Sequence, residues 1–306
     1  MNNPTPIRIK TIAEFHQFRG LPKPQHPLIS VINYADIKQH SGKEKMSWLM
    51  DYYSVSIKRT TNINLKYGQQ SYDFDEGIMF FMAPGQILTV TTDTSIEPKH
   101  TGWMLLFHPD FLWNTSLAKA IKKYEFFDYT VNEALFLSEK EELIIGNIIK
   151  NIELEYQANI DNFSQNIIIS LIESLLNYSE RFYNRQFITR KITNHKILDK
   201  LEELLDNYFR NDELLKSGLP NVQYFADQLN VSVKYLSNIL KMLTGQSTQH
   251  HIHDKLIETA KEKLSTTDLS VSEIAYTLGF EHSQSFSKLF KIKTNFTPLE
   301  FRQSFN

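Results

Sequence analysis

The chain has 306 residues, 41% of them hydrophobic and 22% charged, with a formal net charge of -2. That length allows two domains with cores of their own, and the near-neutral balance excludes binding to nucleic acid by bulk charge, so any such contact must come from the placement of lysines. Zero cysteines exclude disulfides and thiol chemistry and are compatible with a reducing cytosol.

The opening Met1-Asn2-Asn3-Pro4-Thr5-Pro6 lacks the basic stretch and apolar core of a secretory leader, so none is expected. No apolar run of about 18 residues follows anywhere, so no membrane span is expected. Short segments rich in aromatic and β-branched residues come next, at Tyr52–Arg59, Ile63–Lys66, Ile78–Met82, Ile87–Thr91 and Gly102–Phe107. Tyr67-Gly68, Asp75-Glu76-Gly77 and Pro84-Gly85 punctuate them at intervals of roughly 8 to 12 residues, which predicts antiparallel sheet closing into a sandwich or small barrel. The aromatics Tyr34, Trp48, Tyr52, Tyr53, Phe80, Phe81, Trp103 and Phe107 read mainly as core, with some available to line an apolar pocket. Alternation sends Phe80 and Phe81 to opposite sides, so at most one looks inward. His40, His100 and His108 are isolated, whereas a metal-dependent barrel enzyme needs closely spaced histidines and a glutamate converging on one ion. They read as surface or core histidines, and no catalytic residue, metal or cofactor is assigned.

Ser138-Glu139-Lys140-Glu141 has capping-box form and starts a helix that carries Leu143, Ile144, Ile148, Ile152 and Leu154. A second helix is predicted over Phe163–Phe182, with Ile167, Ile168, Leu171, Ile172, Leu175 and Leu176. The pair carries more apolar residues than one face requires. Packing beneath the strands and contact with a second copy both fit that excess. Tyr183 to Asn194, with Asn184, Arg185, Arg190 and Lys191, is polar and basic and reads as a linker between domains. A further helix over Ile197–Phe209 leads into the last third.

There the same small unit occurs twice, at Val222 to Gly245 and at Val271 to Asn295. In the first copy Val222, Phe225, Ala226 and Leu229 form a buried stripe, and Asn230 turns the chain because asparagine tolerates the left-handed conformation. Ser232 then caps a helix whose Leu236, Ile239, Leu240 and Leu243 face inward while Lys234, Tyr235, Ser237, Asn238 and Lys241 face outward. In the second copy Ser270-Val271-Ser272-Glu273 is a capping box, Val271, Ile274, Ala275 and Leu278 form the stripe, and Gly279 ends the helix. Ser283 is expected to cap the next helix, with Phe286, Leu289 and Phe290 inward and Ser283, Gln284, Ser287, Lys288 and Lys291 outward. These outward types hydrogen-bond base edges or pair with phosphates. The first outward helix holds no carboxylate, as contact with phosphates requires. Between the copies, Thr248 to about Leu264 reads as one helix with Ile252, Leu256, Ile257, Ala260 and Leu264 on one face, roughly 25 Å long. Its His250-His251-x-His253 reads as a solvated helix start, and a metal site there, the other reading, needs further ligands.

Ala226-x-x-Leu229, Tyr235-Leu236 with Lys241 and Gly245, and Ile274-Ala275-x-x-x-Gly279-Phe280 followed by Phe286, Phe290-Lys291, Pro298 and Phe301-Arg302 together resemble the AraC/XylS family of bacterial transcription regulators. The likeness covers roughly the last ninety residues, about one small domain, and its order and spacing agree across both units and the joining segment. Carried over by register, the resemblance implies base readers at Lys234, Ser237 and Asn238 in the first unit and at Ser283, Gln284, Ser287 and Lys288 in the second. Asn295 stands where the family usually has glycine, and Lys288 often corresponds to arginine. Lysine gives up the bidentate fork that favours guanine.

The expectation is therefore an α+β chain of two domains. Residues 1–185 are a β-barrel with a helical pair, which the resemblance makes cupin-like and effector-binding or dimerising; 186–194 are a linker. Residues 195–306 are an all-α domain with two helix-turn-helix units joined by a linker helix, and DNA contacts are placed at Lys234, Tyr235, Ser237, Asn238, Lys241, Ser283, Gln284, Ser287, Lys288 and Lys291. The function implied is a cytoplasmic, sequence-specific transcription regulator and not an enzyme, commonly an activator, with double-stranded DNA, RNA polymerase, a small-molecule effector and a second copy as partners. A ligand-independent regulator whose first domain only dimerises is the alternative, and a barrel enzyme fused to a DNA reader is a third reading.

Overall fold

The computed structural model describes residues 6–37, 45–61, 66–67, 70–71, 77–91, 99–130, 133–158, 161, 163–210, 214 and 218–304. The chain divides into two compact units, Met1–Gln186 and Phe187–Asn306.

The first unit contains strands β1 (Ile7–Ile9), β2 (Ile29–Asn33), β3 (Lys45–Met50), β4 (Tyr53–Thr61), β5 (Lys66–Tyr67), β6 (Gln70–Ser71), β7 (Gly77–Met82), β8 (Ile87–Thr91), β9 (Lys99–Phe107) and β10 (Leu135–Leu137). A five-stranded antiparallel sheet has the order β10-β7-β4-β9-β2, a second sheet the order β1-β3-β8, and β5 pairs with β6. In the second sheet β1 runs parallel to β3. The predicted strands match β4, β7, β8 and β9 to within a few residues, and Pro84-Gly85 makes the turn between β7 and β8. Of the segment predicted at Ile63–Lys66, only Lys66 lies within the described residues, as do Tyr67 and Gly77 of the turn signals; Gly68, Asp75, Glu76 and His40 lie outside, as does the side chain of His100. Among the described residues the sheets stay separate and form no closed barrel, so the barrel expected from the sequence is not what the strands build. Turn spacing reports the length of hairpins, and barrel closure depends on tilt and stagger that the spacing does not encode.

The five-stranded sheet is covered on both faces. Phe81 packs on one side against Phe126, with ring centres 4.4 Å apart, and against Phe127 and Tyr183. Phe80 lies on the other side, half-buried against Ile78, Ala134 and Phe136, so the two neighbours part as strand alternation requires. Trp48, Tyr52 and Phe107 are buried, while Tyr34, Tyr53 and Trp103 are half-buried.

Helices α1 (Ile12–Phe18), α2 (Leu117–Ala120), α3 (Glu139–Gln157) and α4 (Ser164–Thr189) complete this unit. The Ser138 amide donates to Glu141 Oε2 at 2.9 Å, so α3 begins where its capping box predicts. Of the apolar residues read from the sequence, Ile152 is buried and Ile144 and Ile148 are half-buried, whereas Leu143 and Leu154 are 67% and 59% exposed; Ile145, Ile149 and Tyr156 complete the buried face. The helix carries two apolar stripes, and periodicity alone does not choose between them. On α4, Ile168, Ile169, Ile172, Leu175 and Leu176 are buried.

The residues read as a linker are helical, α4 running to Thr189 and the next helix starting at Lys191. Their polar groups serve the edge of β10 within the first unit. Arg185 donates to Glu141 at 2.6 Å and to the Phe136 carbonyl at 2.7 Å, and Gln186 bonds the Phe136 amide and the Ala134 carbonyl. Buried polar side chains with fixed partners look, in the sequence, like solvated ones.

The second unit holds α5 (Lys191–Arg210), α6 (Val222–Leu229), α7 (Val233–Thr244), α8 (Thr248–Thr266), α9 (Val271–Thr277), α10 (Ser283–Thr294) and α11 (Pro298–Gln303). Ile252, Leu256, Ile257, Ala260 and Leu264 of α8 are all buried, as their common face predicts. Helix α8 packs on α5, α7, α9, α10 and α11, so one core runs through both repeats. Among the described residues no helix is long and apolar enough to cross a membrane.

Candidate nucleic-acid interface

Each repeat is built from local chemistry. Asn221 caps α6 by accepting the Tyr224 amide at 2.8 Å, and the helix ends at Asn230 with φ 55°. Ser232 then caps α7 by accepting the Tyr235 amide at 3.1 Å. In the second copy Ser270 accepts the Glu273 amide at 3.2 Å while its own amide donates to Glu273 at 2.7 Å. Hydrogen bonds from the Ser270 hydroxyl and amide hold the Glu273 carboxyl below its ordinary range. Gly279 follows with φ 83°. Gly245 and Asn295 close α7 and α10 with φ 74° and 64°, so asparagine replaces glycine without loss of the left-handed cap. One cap differs from the prediction: His282 precedes α10 and no side chain caps it, while Ser283 is the first helical residue.

The exposed faces of α7 and α10 carry most of the side chains singled out by sequence. Lys234 and Lys241 are exposed on α7, and Ser237 and Asn238 are half-buried. Gln284, Lys288 and Lys291 are exposed on α10, and Ser283 and Ser287 are half-buried. Ser237 Oγ stands 3.3 Å from Oγ1 of the buried Thr248, which ties the face of α7 to the start of α8. Tyr235 is the exception. It is 9% exposed and its ring lies 5.4 Å from that of Phe187, so it faces inward and not outward as expected. Beside the apolar stripe of α7, the Tyr235 ring gains burial and an aromatic partner by turning inward.

Neither α7 nor α10 contains an acidic residue. Lys241 and Lys291 sit in their last turns, where the helix dipole favours a cation. Two further lysines of the unit are held in ion pairs. Lys293 meets Asp254 at 2.9 Å, and Lys255 meets Asp206 at 2.6 Å and Glu258 at 2.8 Å. The bond to Lys255 holds the Asp206 carboxyl below its ordinary range, and the bond to Asp206 raises Lys255.

The histidines at the start of α8 pair locally, His251 with Thr244 at 2.9 Å and His253 with Gln249 at 2.8 Å. Burial lowers the pKa of both, so they carry little charge at neutral pH. Among the described residues no group of three or more histidine or acidic side chains stands close enough to hold a metal. The two repeats are joined by the 19 residues of α8, about 28 Å at 1.5 Å each, somewhat less than the roughly 34 Å of one DNA turn.

Three features escaped the sequence reading: the Asn221 cap, the Asp254–Lys293 pair, and the Arg302 Nε bond to the Leu264 carbonyl at 3.1 Å. The first had a sequence signal, an asparagine directly before an apolar stripe. The other two join residues 39 and 38 positions apart and left none.

Residues 225–304 match the family described as a helix-turn-helix domain. An HTH-type transcriptional regulator of Pseudoalteromonas carrageenovora is 34% identical over 116 residues, 38% of this chain and 64% of that protein. The HTH-type transcriptional activator RhaS of Escherichia coli is 33% identical over 110 residues, 34% of this chain and 40% of that protein. The matches thus span less than two thirds of either relative. Among solved structures, the C-terminal domain of AraT, a response regulator from Geobacillus stearothermophilus, is 28% identical with a TM-score of 0.31, over 35% of this chain and 84% of that one. Residues 225–304 thus form a helix-turn-helix domain of the AraC type, similar to the domains of these transcription regulators.

Proposed function

We propose that this chain is a sequence-specific transcription regulator, an activator, whose N-terminal unit binds a small-molecule effector and whose C-terminal unit reads DNA. One observation carries the reading: two acid-free helices, α7 and α10, each follow a turn closed by a left-handed residue and each present exposed lysines beside half-buried polar side chains. Lys234, Ser237 and Asn238 on α7, and Ser283, Gln284, Ser287 and Lys288 on α10, are assigned to base edges. Lys241 and Lys291 are assigned to phosphates. The two sets differ, so one chain recognises a non-palindromic site, and dyad symmetry in an operator comes from dimerisation.

In this reading residues 1–185 form a cupin-like sensing domain, 186–194 join it to the reader at 195–306, and the effector acts by linkage, shifting the population no further than its differential affinity allows. The similarity to the activator RhaS supports activation, with RNA polymerase as a partner and the cytoplasm as the place of action; relatives named as regulators support a non-enzymatic role. Selection of bound DNA from a random pool tests the proposal. Two different half-sites about one helical turn apart are expected, and recovery of no common sequence overturns it.

A second reading, regulation by dimerisation without effector, draws on Leu143, Leu154 and Ile167, which are 67%, 59% and 44% exposed on α3 and α4. Sedimentation of the full chain and of Leu143→Glu separates the two. A dimer lost in the variant, together with no ligand response, favours this reading.

A further inference from the structure

One face of β4 is unusually polar for a sheet interior. Ser54, Ser56 and Lys58 alternate with Val55 and Ile57, and they pair across to Leu106, Met104 and Gly102 of β9. Directly opposed residues share a face, so the three point to the side where Ile32, Trp48, Met50 and Leu106 form an apolar cluster. Ser54 and Ser56 are 4% and 5% exposed. Burial and the neighbouring Arg19 charge pull the Lys58 ammonium down to about 8.

Two cations stand beside these hydroxyls. Lys58 Nζ lies 5.7 Å from the centre of the Tyr34 ring, and the Arg19 guanidinium lies 5.9 Å from that of Trp48. The Tyr34 phenol hydrogen-bonds Ser56 and also feels the charge of Arg19, which places both cations around one aromatic group. The Nε of Arg19 is buried and makes no hydrogen bond among the described residues. Neither cation forms an ion pair among the described residues.

Two like charges withdrawn from water without a counter-ion are costly, and a buried charge is ordinarily paired. An oxyanion relieves both at once, because guanidinium presents a planar fork to it and ammonium a point charge. We propose that Arg19, Lys58, Tyr34 and Trp48 bind a small organic oxyanion, its charged group between the two cations and its uncharged part against the rings. The inference rests on the effector reading of the N-terminal unit and gives that effector its chemical class. The outer cleft of about 450 Å³ near His26, Asp110 and Glu155 is a weaker candidate, since its other polar groups are engaged: Asp161 caps α4, and Tyr156 accepts the Gln25 amide.

The test is thermal unfolding of the full chain in a buffer poor in oxyanions, with benzoate, succinate or glucose 6-phosphate added at constant ionic strength. Benzamide, succinamide and glucose serve as neutral counterparts. At least one anion raises the melting temperature of the wild type, and Arg19→Gln weakens that anion about tenfold or more. Lys58→Met abolishes the response and, without added anion, melts no lower than wild type. A Lys58→Met protein that folds but melts lower without anion shows that the ammonium already has a partner and overturns the proposal. Should Lys58→Met not fold, an unchanged anion response in Arg19→Gln overturns it equally. Neutral counterparts that stabilise the wild type as well as the anions do overturn the charge class while leaving effector control standing. No response to any anion overturns it too, and the DNA selection above then decides separately whether the regulator reading survives.

Discussion

Gly279 lies directly against Gly218: a Cβ on Gly279 would stand 2.9 Å from the Gly218 carbonyl carbon and 2.9 Å from the Leu219 nitrogen. The turn of the second repeat thus touches the segment that leads into the first. Asn230 occupies the equivalent place in the first repeat, with φ 55° and an exposed side chain, whereas Gly279 has φ 83°. The glycine is therefore required twice over, by backbone conformation and by contact, and asparagine satisfies only the first demand.

Asn230→Gly should change stability by less than about 1 kcal/mol. Gly279→Asn should cost about 2 kcal/mol or more, since the clashing atoms are backbone and cannot move aside cheaply. Urea unfolding of both variants checks the contrast, and equal midpoints would show that the two turns are interchangeable.

Lys241→Ala or Lys291→Ala should weaken binding to every DNA sequence and lower the salt slope by about one unit. Lys293→Ala should do less, because Asp254 holds that ammonium at 2.9 Å. Asn238→Ala or Gln284→Ala should instead relax preference at one base position by roughly 1–3 kcal/mol. Binding titrations over a salt series, on the selected site and its single-base variants, separate the two patterns. Uniform loss from all of them would mean that the register assigned to α7 and α10 is wrong.

Tyr235, 9% exposed against Phe187, should behave as a core residue. Tyr235→Ala should destabilise the C-terminal unit by about 3 kcal/mol. Below its melting temperature, the salt slope for DNA should be unchanged. A variant of full stability that loses base preference would restore the outward placement read from the sequence.

How much was legible depended on whether a residue's role is local. The turns at Asn230, Gly279 and Asn295 and the capping boxes at Ser138 and Ser270 were all readable, because each is decided within about four residues. The strut face from Ile252 to Leu264 was readable because a buried helix shows only one stripe. Helix α3 was legible only in part for the opposite reason: it has two apolar stripes, and of the residues named on it Ile152 is buried while Leu143 and Leu154 are exposed. Arg185, Gln186 and Tyr235 were misread because their partners, Glu141, Phe136 and Phe187, lie 44, 50 and 48 positions away. The cations Arg19 and Lys58 gave no signal, since nothing in their sequence neighbours foretells that both approach Tyr34.

Lys58 supplies a pH prediction. Its folded pKa of about 8 lies below the ordinary 10.5, so between these values the unfolded chain binds more protons than the folded one. Stability then rises with pH across that window, and the penalty is fully present below about 8. Burial raises the neighbouring Tyr34 phenol above its ordinary 10.0, which lowers stability above that pH in Lys58→Met and wild type alike and so cancels in the difference between them. Any stability gap between Lys58→Met and wild type at neutral pH should narrow as pH climbs from 8 towards 10.5. Stabilisation by the oxyanion should fade over the same range, as the site keeps only the charge of Arg19. Melting curves of both proteins with and without the anion check this, and an anion response that is flat from neutral pH to 10.5 would remove Lys58 from the site.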